Sequence, residues 1–578
     1  MVVPDTRLKF YRWVRVLEPL IKKDQSPSRL IRVLIYLWQQ NAYPRLLPSR
    51  APWASSSLLS EPSVNNFVDW LGRQPFEEAA YWLATLYSRL VDTSIRSERA
   101  MFFTPPRLAG RVIDNLQKSG ASLVDHKWHD PACGGSAFLV PLALRMMRVL
   151  DQTKLTAREQ LKHIERNLSG NDLDEVLLEL SGALLRMTVY PLIKECGYVP
   201  SFKLLNGDGL DQRSNVARKH DVVICNPPYR KLRKEEVERY RGEYSYVIEG
   251  QPNIYSLFVF QAVRLCREGG LVGLLTPTSF LSGRSFSKLR RTLTEKVDVI
   301  QLDILSNRTS TFFDVLQETA VSILNVRSKG KSSELKVSVS VLTESGEFKE
   351  VGECVLPSNN DPWPIPRSEG DAELLRSVAA CKFGLSDYGY VAKVGHLVGY
   401  RDKRKRFAKF SAALGKGVVV PLIWATDIMP NGKFKHGRDH KIKRNAAFVR
   451  VLNLSDSGVV CNAAVLLQRL TSSDQRSRLV AAAVSQKWVK KYGGFVCENH
   501  VIVIEPKGDS ILPVAKMAEV LSTKVVDRVF RTISSASNVG VSELKKLLLP
   551  DPRVLVQRLA TEKSVEAAVL SSYGRTTK

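Results

Sequence analysis

A short apolar run, Asp221-Val-Val-Ile-Cys225, stops abruptly in Asn226-Pro227-Pro228-Tyr229. The run reads as a strand. Two consecutive prolines cannot continue a sheet ladder, so the chain leaves at the strand's carboxyl end, which is where open α/β sheets bind ligands. The Asn226 side-chain oxygen and the Pro227 backbone carbonyl offer two adjacent hydrogen-bond acceptors. Such a pair suits an amino nitrogen whose lone pair is delocalised into a ring, because holding its two hydrogens favours tetrahedral geometry as an electrophile arrives. The chemistry is electrostatic preorganisation combined with alignment of the reacting atoms, and it needs no covalent intermediate. Tyr229 adds a ring able to stack on a planar base.

A second constellation supplies the partner. The string His129-Asp130-Pro131-Ala132-Cys133-Gly134-Gly135-Ser136 leads into an apolar helix expected over Val140–Leu150. A glycine-rich turn between strand and helix lets backbone amides approach a ligand and aims a helix N-terminus at its negative group. S-adenosylmethionine fits: its methionine carboxylate is the anion, and Asp130 is the expected partner of its ammonium. Further on, Gly170-Asn-Asp172-Leu-Asp174 precedes another helix. An acid after the second strand of such a unit binds ribose hydroxyls; Asp172 is the first candidate and Asp174 the second, with capping of the following helix the alternative for Asp174. In Asn206-Gly-Asp208-Gly209, Asp208 is the candidate acceptor for the cofactor's adenine amino group.

These residues need a scaffold. The 578-residue chain exceeds one ordinary core. Residues 1–100 read as a mainly helical N-terminal extension, with Phe67, Trp70 and Leu71, then Trp82, Leu83, Leu86, Tyr87 and Leu90 at helical spacing, and a Pro/Ser-rich loop over Leu47–Pro62. From 101 to 356 strands alternate with helices, which implies an α/β fold with a mixed, mostly parallel sheet. Its expected elements are a helix over Asn253–Cys266 stopped by Gly269-Gly270, and strands at Leu271–Leu275, Val299–Leu305 and Ala320–Val326. Four prolines in Pro357–Pro366 predict a linker, 357–367, before a second region, 368–578.

The charge is +27, and residues 401–450 alone carry 14 lysines and arginines against three acids. Lys and Arg displace counterions from nucleic-acid phosphates, so a polyanionic partner is implied. The eight cysteines form no C-x-x-C pair, which argues against zinc and disulfide frameworks and for a reducing cytoplasm. No metal site is expected. No apolar run is long enough to span a membrane, and the basic first 30 residues do not read as a signal peptide.

Asp130–Leu139 and Asn226–Tyr229 resemble the cofactor and catalytic motifs of amino-methyltransferases acting on DNA adenine. Phe103-Thr104-Pro105-Pro-Arg-Leu-Ala109 resembles the family's additional cofactor-contacting motif, with Thr104 and Pro105 at its matching positions. The motif order is similar to that of the gamma class of type II restriction–modification systems. Asn253-Ile-Tyr255, Pro277–Leu281, Pro421-Leu-Ile-Trp424, Leu467–Thr471 and Glu498-Asn-His500 extend the likeness over about 100–550. The resemblance implies a Rossmann-like S-adenosylmethionine-dependent methyltransferase domain followed by an α+β DNA-recognition domain. The implied reaction is methylation of adenine N6 in double-stranded DNA by base flipping, protecting host DNA from a separately encoded endonuclease. Pro131, Ala132, Cys133 and Gly134 would line the cofactor, Pro228 would complete the catalytic loop, and Phe313 would hold the second face of the flipped base. Two departures stand out. Ser136 occupies a position where the family has glycine, and Gly209 follows Asp208 where a bulky residue is usual. The distance from the cofactor turn to Asn226 also predicts an extra helix around 150–168.

Release-factor or ribosomal-RNA methylation also uses N-P-P-Y, but without a basic C-terminal region of about 200 residues. Cytosine-N4 enzymes usually have serine at the Asn226 position, and cytosine-C5 chemistry needs a Pro-Cys dipeptide that this chain lacks. A fused nuclease needs a carboxylate cluster; Glu334-Leu-Lys336 and Glu347-Phe-Lys349 have only its short half and read as exposed strands or turns. A protein that only binds DNA would explain the charge but not the paired motifs. Lys231, Arg401, Lys403, Arg404, Lys405 and Arg406 are the expected phosphate contacts, together with the cluster Lys433–Arg444.

Overall fold

A computed structural model describes residues 4–574 except 22–25, 48–55, 212–219, 306–317, 329–335, 358, 400, 411–416, 439–445, 472–474 and 535–537. The chain forms two compact units, one of residues 1–280 and 285–350, the other of 281–284 and 351–578.

The first unit opens with five helices, α1 (Pro4–Ile21), α2 (Pro27–Ala42), α3 (Pro62–Gly72), α4 (Phe76–Leu90) and α5 (Thr93–Arg99). Their apolar faces join the same core as the sheet that follows: Phe10, Leu34, Phe67 and Trp82 belong to one buried cluster with Trp128, Val222 and Ile323. The described part of Leu47–Pro62 includes a short 3-10 turn at Ser57–Ser60.

Next comes α6 (Pro106–Lys118), which begins with proline, a residue preorganised for a first helical turn. The strands of the first unit are β1 (Trp128–Asp130), β2 (Leu168–Asp172), β3 (Lys203–Asn206), β4 (His220–Cys225), β5 (Cys266–Pro277), β6 (Val297–Leu305), β7 (Thr319–Val326), β8 (Lys336–Leu342) and β9 (Phe348–Val355). They form one sheet in the order β3-β2-β1-β4-β5-β7-β6-β8-β9. Pairing is parallel from β3 to β5 and between β6 and β8, and antiparallel where β7 lies between β5 and β6. The mixed, mostly parallel sheet is as expected. Strand order reverses between β1 and β4, and a crevice opens at the carboxyl ends of such a pair. Asp130 ends β1 and Cys225 ends β4, so Asn226 follows directly at the crevice.

Helices α7 (Leu139–Leu150), α8 (Ala157–Asn167), α9 (Glu175–Thr188), α10 (Tyr190–Cys196), α11 (Lys234–Tyr244) and α12 (Ile254–Leu265) fill the crossovers. The extra helix expected around 150–168 is α8, started by a reciprocal Thr156–Glu159 capping box. One boundary differs from expectation. Gly269-Gly270 does not stop α12; the helix ends at Leu265 and the chain passes straight into β5. A Cβ on Gly270 would lie 2.6 Å from the Asp221 carbonyl oxygen, and the β4–β5 register slips nearby. Gly270 serves a close strand approach, and Gly269 takes the left-handed conformation (φ 72°).

The second unit contains β10 (Tyr390–Val394), β11 (Arg406–Phe407), β12 (Val418–Ile423), β13 (Phe448–Val451), β14 (Val459–Val460), β15 (Ala464–Gln468), β16 (Ala481–Val484), β17 (Phe495–Cys497) and β18 (Val501–Pro506). They make a four-stranded sheet, β10-β18-β15-β16, and a five-stranded one, β11-β13-β12-β17-β14. The helices Val514–Leu521, Lys524–Ile533 and Val565–Tyr573 bury their faces in one core with the four-stranded sheet. The proline-rich segment is tied into this unit: Trp363 and Ile365 are buried, and their amides donate to Leu281 O and Thr532 O.

Among the described residues, no single helix is long and apolar enough to cross a membrane, and no group of three His, Cys, Asp or Glu is placed to hold a metal.

Candidate active site

The carboxyl ends of β1, β2 and β4 surround a cavity of about 440 Å³, within the size range of small-molecule sites. Eleven of the residues expected at the site line it: Thr104, Asp130, Pro131, Ala132, Cys133, Gly134, Asp172, Asp174, Asp208, Asn226 and Pro228. They come from five stretches spread over 125 residues, brought together by the strand order. Pro105, Pro227 and Tyr229 are adjacent in sequence but are not among the lining residues. Pro105 instead precedes α6 as its cap residue.

The turn after β1 is held by backbone bonds. Ala132 N donates to Asp130 Oδ1 (3.0 Å), Gly134 N donates to Asp172 Oδ2 (2.8 Å), and Cys133 N donates to Asn171 O (2.8 Å). A Cβ on Gly135 would lie 2.4 Å from Ala84 Cβ, so α4 approaches the turn too closely for any side chain there. The glycine requirement therefore falls on Gly135, and Ser136 takes the next place. Ser136 nevertheless adopts the left-handed conformation (φ 62°) that glycine would adopt freely, and its buried hydroxyl has no partner among the described residues. A serine in this conformation carries strain that a glycine would not.

The two aspartates after β2 have different fates. Asp174 caps α9, accepting from the Val176 and Leu177 amides; the Tyr87 hydroxyl and the Arg99 guanidinium also bind its carboxylate. Asp174 thus makes the capping contacts weighed for it, and it also lines the cavity. Asp172 accepts the amides of Gly134 and Asp174 while still facing the cavity.

Burial pushes the Asp130 carboxyl up to about 8, with the Asp172 charge adding to the rise and the Ala132 amide opposing it. Burial likewise raises Asp172 to about 6, against the pull of the Asp174 and Gly134 amides. Two buried carboxyls that resist ionisation at one cavity wall are suited to a ligand carrying positive charge. The ammonium and sulfonium of S-adenosylmethionine meet that requirement, so the residues present fit the group. Asp208 is more engaged: Oδ1 accepts the Leu210 amide (2.9 Å), and Oδ2 accepts Arg239 (3.2 Å) and the Tyr240 hydroxyl.

The loop after β4 is held by side chains. Asn226 Nδ2 donates to Thr104 Oγ1 (2.8 Å), and Asn226 Oδ1 accepts from the Tyr229 hydroxyl (2.6 Å), which also lies 2.8 Å from Leu275 O. Thr104, expected to touch the cofactor, therefore also braces the Asn226 amide across 122 positions of sequence. Burial raises the Tyr229 phenol well above its ordinary range, so it stays a donor. Its ring meets Tyr255 edge-on at 6.3 Å. Phe313 lies outside the described residues.

Other walls of the cavity carry no cofactor assignment in the sequence, where Arg233 stands with Lys231 and Lys234 as a candidate DNA contact and Phe103 and Ile254 stand only as parts of motif strings. Phe103, Phe138, Ile254 and Phe258 supply apolar surface, and Glu98, Arg99, Arg230, Arg233, Glu236 and Arg239 supply charge. Arg233 pairs with Glu98 (2.7 Å) and Arg230 with Glu236 (2.6 Å). The sequence signal for them was proximity to Thr104 and Tyr229; the Arg233–Glu98 pair joins residues 135 apart, whereas Arg230–Glu236 is local.

Of the expected phosphate contacts, Lys231 donates to Gln251 Oε1 (3.1 Å) in the first unit. In the second, Arg404 turns onto Asp402 (2.6 Å) and Arg406 donates to the Gly399 and Asp402 carbonyls, both half-buried, whereas Arg401, Lys403 and Lys405 are exposed. Of the cluster Lys433–Arg444, residues 439–444 lie outside the described residues. The three segments that carried the C-terminal resemblance meet: Glu498 N donates to Ile423 O, Arg469 N to His500 O, and Gln468 Nε2 to Ala425 O and Ile428 O.

The strand order, the reversed β7 and the cavity between β1 and β4 define an S-adenosylmethionine-dependent methyltransferase fold. Comparison with known proteins agrees. Residues 145–312 match the family model of the Eco57I restriction-modification methylase, and over this segment the chain is similar to methyltransferases of type II restriction–modification systems. It is 25% identical over 354 residues to the Type II methyltransferase M.PstI of Providencia stuartii, covering 58% of this chain and 66% of that protein. It is 23% identical over 360 residues to M.BsuBI of Bacillus subtilis, covering 60% and 69%. The chain thus spans about two thirds of the length of these relatives. Among solved structures, the Type IIL restriction-modification enzyme MmeI in complex with DNA has the same fold, with a TM-score of 0.55 at 12% identity, covering 97% of this chain and 90% of that one.

Proposed function

We propose that this protein transfers a methyl group from S-adenosylmethionine to the exocyclic N6 of adenine in double-stranded DNA. The observation that carries the reading is the placement of Asn226 at the end of β4, facing the same cavity as Asp130 and Asp172, with its amide braced by Thr104. When bound, S-adenosylmethionine supplies an electrophilic methyl on a sulfonium. Asp130 would hold its ammonium through Oδ2, which the Ala132 amide leaves unused, and Asp172 would accept its hydroxyl groups on the second lone pairs of oxygens that already take the Gly134 and Asp174 amides.

Asn226 Oδ1 has a second lone pair beyond the one facing the Tyr229 hydroxyl. With the Pro227 carbonyl it accepts the two hydrogens of the adenine amino group. Those bonds strengthen as the nitrogen becomes tetrahedral, so they favour the transition state over the ground state. N6 is paired inside a duplex, so the base must be extruded, and Tyr229 and Phe313 are the rings assigned to its two faces. The asparagine favours adenine over cytosine N4. The similarity to Type II methyltransferases supports a modification role, and protection of DNA from a separately encoded endonuclease is part of the same proposal.

The test is transfer of labelled methyl from S-adenosylmethionine to unmethylated genomic DNA, total RNA and total protein in parallel. Label in DNA alone is the expected result. Label in RNA or protein alone contradicts the assignment of substrate.

A further inference from the structure

The second unit carries a sheet face that the cavity does not use. Phe407 pairs opposite Phe448, and Arg450 opposite Val419. Alternation along a strand puts these four on one face and Val420, Val449 and Val451 on the other. The valine face is buried with Leu397, Leu422 and Val496. The aromatic face has its own small cluster with Tyr492 and is flanked by Phe410, which is 51% exposed and 5.5 Å from the Phe448 ring.

Cations lie over these rings. Lys405 Nζ is 5.7 Å and the Arg450 guanidinium 5.2 Å from the Phe407 centroid, and Lys491 Nζ is 5.3 Å from that of Tyr492. The three segments that build the face, 403–410, 447–451 and 486–492, carry nine lysines and arginines and no acid. Lys405, Lys490 and Lys491 are exposed and have no ion-pair partner among the described residues. Arg404 and Arg406, from the same run, are spent on Asp402 and local carbonyls. The aromatic platform holds the aliphatic stems and leaves the Lys405 and Lys491 ammonium groups at the surface beside that of Lys490, with Arg450 half-buried over the Phe407 ring.

We infer that this face docks the phosphate backbone of duplex DNA, with Lys405, Arg450, Lys490 and Lys491 as the contacts. The inference rests on the reading that the chain acts on DNA. The set differs from the contiguous run 401–406: it skips the two arginines that hold their own loop and recruits cations 45 and 85 residues downstream.

The experiment measures binding of the full-length protein to a fluorescent duplex as a function of salt. The triple variant K405Q/K490Q/K491Q is expected to weaken binding at least about tenfold at low salt and to reduce the slope of log K against log salt by about 2 to 3, because each lost phosphate contact removes about 0.9. Thermal stabilisation by S-adenosylmethionine, read in the same samples, should be unchanged and shows that the variant is folded. A control variant K382Q/K524Q/K563Q, changed at three exposed lysines elsewhere in the unit, should keep the wild-type slope. An unchanged slope in the first variant overturns the surface, and so does a wild-type preference for RNA over duplex. Duplex binding without methyl transfer would remove the methylation reading and leave this surface standing.

Discussion

The two walls of the cavity are built on opposite electrostatic plans. The turn after β1 sets two buried carboxyls, Asp130 and Asp172, where neither ionises at its ordinary pKa. The loop after β4 is neutral, and its asparagine is satisfied on both sides by Thr104 and Tyr229. The first wall is incomplete until a cation arrives. The second is finished beforehand, which is the state expected of groups that must not reorganise during a reaction. A binding wall can afford frustration that a ligand relieves, whereas a catalytic wall cannot.

If that contrast holds, damage to the neutral wall should fall on turnover. Asn226→Ala is expected to lower the single-turnover rate by about 10² to 10³, the cost of removing one preorganised group, with S-adenosylmethionine affinity nearly unchanged; loss of cofactor binding instead would blur the distinction between the walls. Thr104→Val should cost about tenfold in the same rate by leaving Asn226 Nδ2 without its acceptor, and Thr104→Ser should restore it. Equal activity of the valine and wild-type proteins would show that the brace is dispensable.

Damage to the charged wall should fall on binding and on pH. A carboxyl raised in the folded state is protonated there while already ionised in the unfolded chain. The ligand-free protein therefore loses stability as pH climbs from the unfolded value near 4 towards 8. A cationic ligand favours the ionised form, so cofactor affinity should rise several-fold between about pH 6 and 8, readable by calorimetry. Asp130→Asn should weaken binding at pH 8 and flatten the profile; a profile unaltered by this change would assign the titration elsewhere. The smallest effect is expected at the strained turn. Ser136→Gly removes the left-handed penalty and should raise unfolding free energy by up to about 1 kcal/mol without changing turnover.

How much of this was legible depended on how far apart the partners lie in sequence. The glycine-rich turn, the Asn-Pro-Pro-Tyr exit and four of the nine strands of the large sheet are local patterns that the sequence itself displays. The choice between Asp172 and Asp174 was not local: Asp174 is claimed by Tyr87 and Arg99, on and just before the segments that no motif covered. The same helical region explains the order Gly-Gly-Ser, since Ala84 on α4 occupies the space beside Gly135. Thr104 carried a motif assignment that pointed to the cofactor, and only its distance to Asn226 revealed the bracing contact. In the basic run, alternation along β11 and the preceding loop turns Arg404 and Arg406 inward, which a count of charges does not resolve.

The central claim is that the neutral wall acts on an adenine amino group. Nucleoside mass spectrometry of DNA methylated by the purified protein tests it most directly. The account predicts N6-methyladenine, absent when Asn226→Ala replaces the wild type; N4-methylcytosine, or methylated DNA from the variant at the wild-type rate, would contradict it.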